Sequence, residues 1–254
     1  MPPKKTVNVP QAKITEFTSV TGCSDKAIAE ELLSRHKLNV NNAVSDYYEG
    51  NYTKTAASPI VPTAVLEELF EKYKDQADKM GQEGITNFFT AANIELDDVF
   101  IFFFSFECKA TVMGEFKKEE FIKGLGALGV KTPEELTAKK ATLRNKYKTT
   151  SPEFSEFYKW VFPFSAGSKK TMPAPEAAML LGMVTQNGYP LVAKLQDYLE
   201  NHPQGQKEVI YKDTWTMFGH LLRKTKENGD GYDPNEAWPL LVVNFMETIV
   251  PKNK

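Results

Sequence analysis

The stretch YKDTWTMFGHLLRKTKENGDGYDPNEAWPLLVVNFMETI, residues 211–249, decides the fold of the larger part of the chain. Its apolar residues recur at helical spacing, which predicts helices over 214–224 and 235–249. At about 100° per residue, one side of the second helix is apolar and is predicted to be buried: Trp238, Leu241, Val242, Phe245 and Ile249. The opposite side is predicted to face solvent and carries Ala237, Leu240, Val243 and Asn244. Such an exposed side suggests a contact surface, unless a packing neighbour within the chain covers it.

Acidic residues stand where each of these two helices is expected to begin. Asp213 is predicted to be the N-cap of the helix that starts TWTMF, a role that uses one carboxylate oxygen and leaves the other exposed. Asp233 is predicted to cap the last helix, with Pro234 at its first position and Glu236 completing a capping-box-like arrangement.

The rest of the larger region is also helical in pattern. Further helices are predicted over 117–127, 153–161, 175–186 and 190–200. The aromatic run Val99–Phe106 would suit a buried strand, but the good N-cap residues Asp97 and Asp98 before it favour a buried helix. Residues 63–250 are therefore predicted to form one all-α domain, large enough for a well-buried core.

A smaller unit precedes this domain. Residues 10–50 contain three short apolar-periodic segments and are predicted to form three short helices. Residues 51–62, NYTKTAASPIVP, lack helical periodicity and are rich in Thr, Ser, Ala and Pro, which is typical of a linker. Three short helices with a Thr-Gly turn after the first resemble a ubiquitin-associated (UBA-like) domain; a three-helix bundle without a ligand is the alternative.

Composition excludes several classes of protein. The net charge of −2 provides no general basic field for nucleic acid. The longest apolar run, Val99–Phe104, is far shorter than a membrane span, and no secretory signal is readable at the start. An intracellular protein, in the cytoplasm, the nucleus or both, is expected.

Catalytic and metal-binding motifs are also missing from the sequence. Two cysteines and three histidines, all scattered singly, cannot supply the paired ligands of a structural zinc site. Cys108 follows an aromatic run and is read as a buried small hydrophobic residue rather than a nucleophile. No nucleophile elbow, phosphate-binding loop or zinc-protease motif occurs, so no enzyme activity and no cofactor are predicted.

Two segments imitate calcium-binding loops but lack the ligands. In KATVMGEFKKEE, residues 109–120, Gly114 and Glu120 stand at positions 6 and 12, yet position 1 is Lys109 and position 5 is Met113. In the segment 78–89, Glu83 stands where glycine belongs. Helix–loop–helix pairs without metal are predicted.

The chain contains the segments YKDTWTMFGHLL and YDPNEAWPLLVVNF near its end, with GEFKKEEFIKGLGALG and EFYKWVFPF upstream. In these segments it resembles the defective-in-cullin-neddylation (DCN-like) family, and the resemblance covers nearly the whole chain. It implies a UBA-like domain followed by a potentiating-neddylation domain with EF-hand-like helix pairs. It also implies a scaffold-type co-ligase, which binds a cullin together with the neddylation conjugating enzyme and promotes transfer of the modifier to a cullin lysine.

The resemblance implies two binding sites. The family's patch for the cullin C-terminal winged-helix region corresponds to Asp213, Ala237 and Val243, with Asn244 beside it; Val243 departs from the pattern, because the family has an acidic residue there. The acetylated N-terminal methionine of the conjugating enzyme would enter an apolar pocket of this chain. The residues that would line the pocket are Ile85, Ile101, Phe104, Phe116, Phe164 and Val184. Each of them also suits an ordinary hydrophobic core.

Two alternatives stay open at the sequence level. The chain could be a ubiquitin-binding adaptor whose helical domain docks something other than a cullin. The other alternative, an EF-hand-derived regulator or enzyme, is disfavoured by the missing calcium ligands. Within a neddylation scaffold, ubiquitin remains a further partner that the UBA-like unit could bind.

Overall fold

The computed structural model describes residues 9–21, 23, 26–49 and 61–250. The chain divides into two compact units, Met1–Ile60 and Val61–Lys254. Most of the predicted linker, residues 51–60, lies outside the described residues. No helix in the described ranges is both long enough and apolar enough to cross a bilayer.

The first unit contains three helices, α1 (Gln11–Thr21), α2 (Lys26–Arg35) and α3 (Val40–Glu49). Their apolar sides meet in a core of their own, in which Phe17 of α1 packs edge-on against Tyr47 of α3 at 5.6 Å between ring centres. Asp46 of α3 accepts from Arg35 at 3.2 Å and lies 2.7 Å from His36 Nε2, which ties α3 to the end of α2.

The second unit is mostly helical, which confirms the predicted fold class. Its helices are α4 (Thr63–Tyr73), α5 (Gln82–Ala91), α6 (Phe100–Glu107), α7 (Lys118–Leu128), α8 (Pro133–Thr137), α9 (Lys140–Lys146), α10 (Phe154–Ala166), α11 (Ala174–Thr185), α12 (Val192–Asn201), α13 (Lys212–Lys224) and α14 (Leu240–Ile249). The aromatic run after Asp98 is helical, as predicted, and supplies Phe100, Phe103 and Phe104 to the core.

Four short strands, which the sequence did not predict, join the helices into pairs. Strand β1 (Lys79–Met80) pairs antiparallel with β2 (Phe116–Lys117) between α4–α5 and α6–α7. Strand β3 (Thr171–Pro173) pairs with β4 (Val209–Tyr211) between α10–α11 and α12–α13. Each ribbon links two helix–loop–helix units, which is the arrangement of paired EF hands.

The carboxylates of the first pair of loops are engaged by the protein itself. Glu120, at position 12 of the calcium-like loop, accepts from the Thr111 hydroxyl at 2.7 Å and from the Lys117 amide at 3.0 Å. Asp75 accepts from the amides of Gly81 at 2.6 Å and Gly84 at 3.1 Å, and these bonds lower the pKa of its carboxyl. Donors of the protein itself therefore occupy the carboxylate oxygens of Glu120, which stands at position 12 of its loop.

Two helix ends differ from the prediction by five residues, and both of these differences involve proline. Helix α14 begins at Leu240 rather than 235, because the residue before a proline is disfavoured in helical geometry and Trp238 precedes Pro239. Helix α10 continues past the predicted end at 161 to Ala166 and includes Pro163. Buried Phe164 and Ala166 keep this last turn packed despite the hydrogen bond lost at Pro163.

Asp98 joins the start of α6 to α9. Its Oδ1 accepts from the Phe100 amide at 2.9 Å and from Arg144 at 2.7 Å, and Lys140 lies 2.6 Å from Oδ2. Burial acts to raise the pKa of this carboxyl, but the hydrogen bonds from Lys140 and Phe100 outweigh it. The pKa is held below its ordinary value of 3.8.

We expect Asp98→Asn to destabilise the larger unit by about 1–2 kcal/mol, because Lys140 and Arg144 lose a half-buried anionic partner. In a domain of this size the melting temperature should fall by about 2–8 °C. Because the pKa is lowered on folding, the contribution is present above about pH 4 and disappears as the pH falls through the folded value. Thermal unfolding at neutral and acidic pH checks this, with exposed Asp97→Asn as the control; equal effects of the two variants at neutral pH would contradict it.

Candidate functional site

An apolar cavity of about 420 Å³ opens among α5, α6, β2, α10 and α11. On α11, its lining follows helical spacing: Glu176, Met179, Leu180 and Met183 share one face of that helix. On α6, Ile101, Phe102 and Ser105 face the cavity.

Four of the six predicted pocket residues lie on this cavity, namely Ile85, Ile101, Phe116 and Phe164. The other two, Phe104 and Val184, are fully buried and do not line it. Phe104 packs instead against the rings of Phe89 at 5.6 Å and Phe116 at 5.5 Å between centres. Phe104 and Val184 lie on the core sides of their helices, away from this cavity.

The prediction also missed most of the cavity's flexible lining. Four methionines contribute to it, Met113, Met172, Met179 and Met183, together with Leu96 and Phe102. Met113 and Met179 are more than half exposed at its mouth. The sequence did carry a signal for this lining. Met179 and Met183 follow Glu176 at helical spacing, so these apolar side chains share the side of α11 that carries a charged residue and is expected to reach the surface. Unbranched thioether side chains let such a wall adapt to an apolar guest.

Polar groups surround the apolar floor of the cavity. Glu115 at its edge accepts from Lys79 at 2.6 Å, and this contact raises the pKa of the ammonium. The Ser165 hydroxyl is buried in the wall and has no hydrogen-bond partner among the described residues. The cavity therefore combines an apolar floor with polar groups at its edge, among them the exposed carboxylate of Glu176.

The second surface is formed by α13, α14 and the loop between them. Trp238 is buried, stacks on His220 at 5.3 Å between ring centres, and donates from Nε1 to the Asp233 carbonyl at 2.7 Å. Glu236 forms an ion pair with Lys224, and its Oε2 lies 3.3 Å from His220 Nε2. These contacts fix the loop against the C-terminal half of α13.

The predicted capping roles at this surface were wrong. Helix α13 begins before Asp213, which stands exposed in its first turn and makes no capping hydrogen bond. Asp233 accepts from the Asn235 amide at 3.0 Å within a turn of the loop, well before α14 begins. Glu236 binds Lys224, which lowers the pKa of its carboxyl, and completes no capping box.

The structure places the predicted cullin-patch residues in two groups. Asp213 lies two helical turns before His220 on the same side of α13. Exposed Ala237 stands between Glu236 and Trp238, which both contact His220. On α14, Val243 and Asn244 are half-buried, and Val243 packs against the core. The expectation that Val243 faces solvent was therefore only partly right.

Comparison with known proteins gives matches in both units. A cullin-binding family model matches residues 135–248, and a UBA-like domain model matches residues 11–51. DCN1-like protein 2 of Dictyostelium discoideum is 28% identical over 240 residues, which are 93% of this chain and 88% of that protein. The chain is a homologue of the DCN1-like proteins.

Other homologues are matched over less of their length. DCN1-like protein 3 of Homo sapiens is 26% identical over 194 residues, which span 74% of this chain and 63% of that protein. DCN1-like protein 5 of Bos taurus is 27% identical over 179 residues, 70% of this chain and 74% of that protein. The cullin-binding match includes Asp213, Ala237 and the α10 and α11 walls of the cavity.

Proposed function

We propose that this chain is a scaffold-type co-ligase for cullin neddylation. The observation that carries the proposal is the cullin-binding match over 135–248, which includes the surface around Trp238 where Asp213 and Ala237 are exposed. Together with homology to the DCN1-like proteins, it supports a role in the cullin neddylation pathway.

The cullin would dock by its C-terminal winged-helix region on α13 and the loop before α14. Asp213 supplies an exposed carboxylate, and small Ala237 lets a partner approach the backbone closely. Buried Trp238 and the ion pair of Glu236 with Lys224 hold this surface in one conformation. A preformed surface loses little conformational entropy on binding.

The conjugating enzyme would bind through its acetylated N-terminal methionine in the cavity between α6 and α11. Burying a methionine side chain contributes about 1.5–3 kcal/mol. Acetylation removes the positive charge that would otherwise be desolvated there. The adaptable walls formed by Met179 and Met183 suit an unbranched guest.

In this proposal the chain contributes proximity and no bond-making group. Cys108, a conceivable nucleophile, is fully buried, and its burial raises the pKa of the thiol well above the ordinary value. The chain would hold the cullin next to the conjugating enzyme that carries the modifier. An encounter between separate molecules then becomes a reaction within one complex.

A reconstituted cullin-modification assay with and without this protein tests the proposal. We expect a shortened chain of residues 63–254 to accelerate modification as well as the full chain, because patch and cavity both lie in the second unit. Circular dichroism of the shortened chain is the control for folding. Loss of acceleration by a folded shortened chain would show that the first unit is needed for the core activity.

A ubiquitin-binding adaptor is the second candidate. Val20 and Tyr48 of the first unit are 59% and 56% exposed, and the Tyr48 hydroxyl donates to the Val20 carbonyl at 3.2 Å. This apolar pair lies within the UBA-like match. A pull-down that compares a cullin C-terminal domain with ubiquitin chains separates the two functions.

A further inference from the structure

Leu240 is the most exposed large hydrophobic residue at the surface formed by α13 and α14. Its side chain is 72% exposed at the first position of α14, between Pro239 and buried Leu241. Trp238 and Leu241 anchor the backbone on both sides of it, so the leucine projects from a fixed position. Because the leucine is held rigidly in water, its burial against a partner would remove apolar surface from solvent without a large loss of conformational entropy.

The charge around Leu240 is low for a surface expected to meet basic groups. The carboxylate of Glu236 is already engaged by Lys224 and His220. On α14, the residues that follow Leu240 at helical spacing, Val243 and Asn244, are neutral. Asp213 makes no salt bridge within the described part of the chain and stands exposed on α13; Asp233, which also makes none, is engaged by the Asn235 amide.

We propose that Leu240 inserts into an apolar pocket on the cullin C-terminal region, flanked by one cationic side chain that meets Asp213. This inference rests on the proposed function and specifies the chemistry of its cullin partner. Its warrant is the exposure of Leu240, three residues after Ala237 within the cullin-binding match, together with the exposed carboxylate of Asp213. Apolar burial then supplies most of the affinity, and charge supplies orientation.

The test measures affinity of the full chain for a cullin C-terminal domain. Burying a leucine side chain corresponds to about ten- to hundredfold in affinity, so Leu240→Ala should weaken binding by at least about tenfold. Leu240→Met keeps an apolar side chain of similar volume and should stay within about threefold of wild type. Val65→Ala on α4 removes an exposed aliphatic side chain outside the cullin-binding match and should change nothing.

Salt provides an independent readout. One exposed charge pair changes the binding affinity by at most about fivefold. The affinity for the cullin domain should therefore fall by no more than that between low and high salt. A much steeper fall would overturn the proposal, because several charge pairs would then carry the binding.

The outcomes separate this inference from the function on which it rests. If Asp213→Lys abolishes binding while Leu240→Ala leaves it within twofold, the cullin site stands and the leucine anchor is wrong. If the wild-type chain itself shows no affinity for the cullin domain, the proposed function fails. A tenfold loss for Leu240→Ala at an unchanged melting temperature, with Leu240→Met close to wild type, supports the anchor.

Discussion

Asp213→Lys and Ala237→Arg should each lower the affinity for a cullin C-terminal domain at least about tenfold. Each change places a cation on the exposed surface of α13 and the following loop, where a basic partner is expected. Asp213→Lys removes an attraction and adds a repulsion, and Ala237→Arg adds a repulsion and a bulky side chain that would block close approach of the partner. The measurement is binding by calorimetry on the same preparations used for thermal unfolding.

Both variants should fold, so the loss can be assigned to the interface. Ala237 is exposed, and surface substitutions usually stay within about 0.5 kcal/mol. Asp213 lies in the first turn of α13, where an acidic residue contributes about 0.3–1 kcal/mol through the helix dipole. Its replacement should lower the melting temperature by only a few degrees.

Exposed residues on α4 provide matched controls. Glu68→Lys repeats the charge reversal and Ala64→Arg repeats the size change, both outside the cullin-binding match. Wild-type affinity in both patch variants would place the cullin site elsewhere on the chain. Val243→Asp, which would restore the acidic residue of the family pattern, is a poorer test because Val243 packs against the core; half-buried Asn244→Asp adds the same charge without losing volume.

The helices of the second unit were predictable because their apolar spacing is strong. The ribbons were not, because strands of two or three residues are too short to show an alternating pattern. The capping role predicted for Glu236 was wrong for a related reason. Its partners His220 and Lys224 lie on another helix, and no local sequence pattern indicates such contacts. The local sequence favoured a cap, but in the folded domain the carboxylate of Glu236 contacts side chains of α13 instead.

The cavity was partly predictable for a different reason. Helix α6 is apolar on all sides, so periodicity cannot tell the face that lines the cavity from the face that enters the core. Ile101 and Phe104 are equally plausible wall residues from sequence, yet only Ile101 reaches the cavity. The distinction depends on the packing of α6 between α7, α9 and α10, which exists only in the folded domain.

A peptide with an acetylated N-terminal methionine should bind this chain at least about tenfold more tightly than the same peptide with a free amine. The cavity floor is apolar, and burying an unpaired ammonium there would be costly. The acetyl amide is neutral and keeps hydrogen-bonding capacity for the polar edge. Titration of both peptides against the full chain measures the difference.

Glu176 is the group that could reverse this preference, because its carboxylate lines the cavity and attracts an amine. Glu176 is exposed, however, and an exposed ion pair is worth at most about 1 kcal/mol, less than the cost of desolvating the ammonium. Glu176→Gln should therefore widen the preference for the acetylated peptide slightly. Met179→Arg, at the exposed mouth, should weaken binding of both peptides, whereas Ala64→Arg on α4 should weaken neither. Equal affinity for the two peptides in the wild-type chain would mean that the amine stays in solvent, and the cavity would then not hold the terminus of the conjugating enzyme.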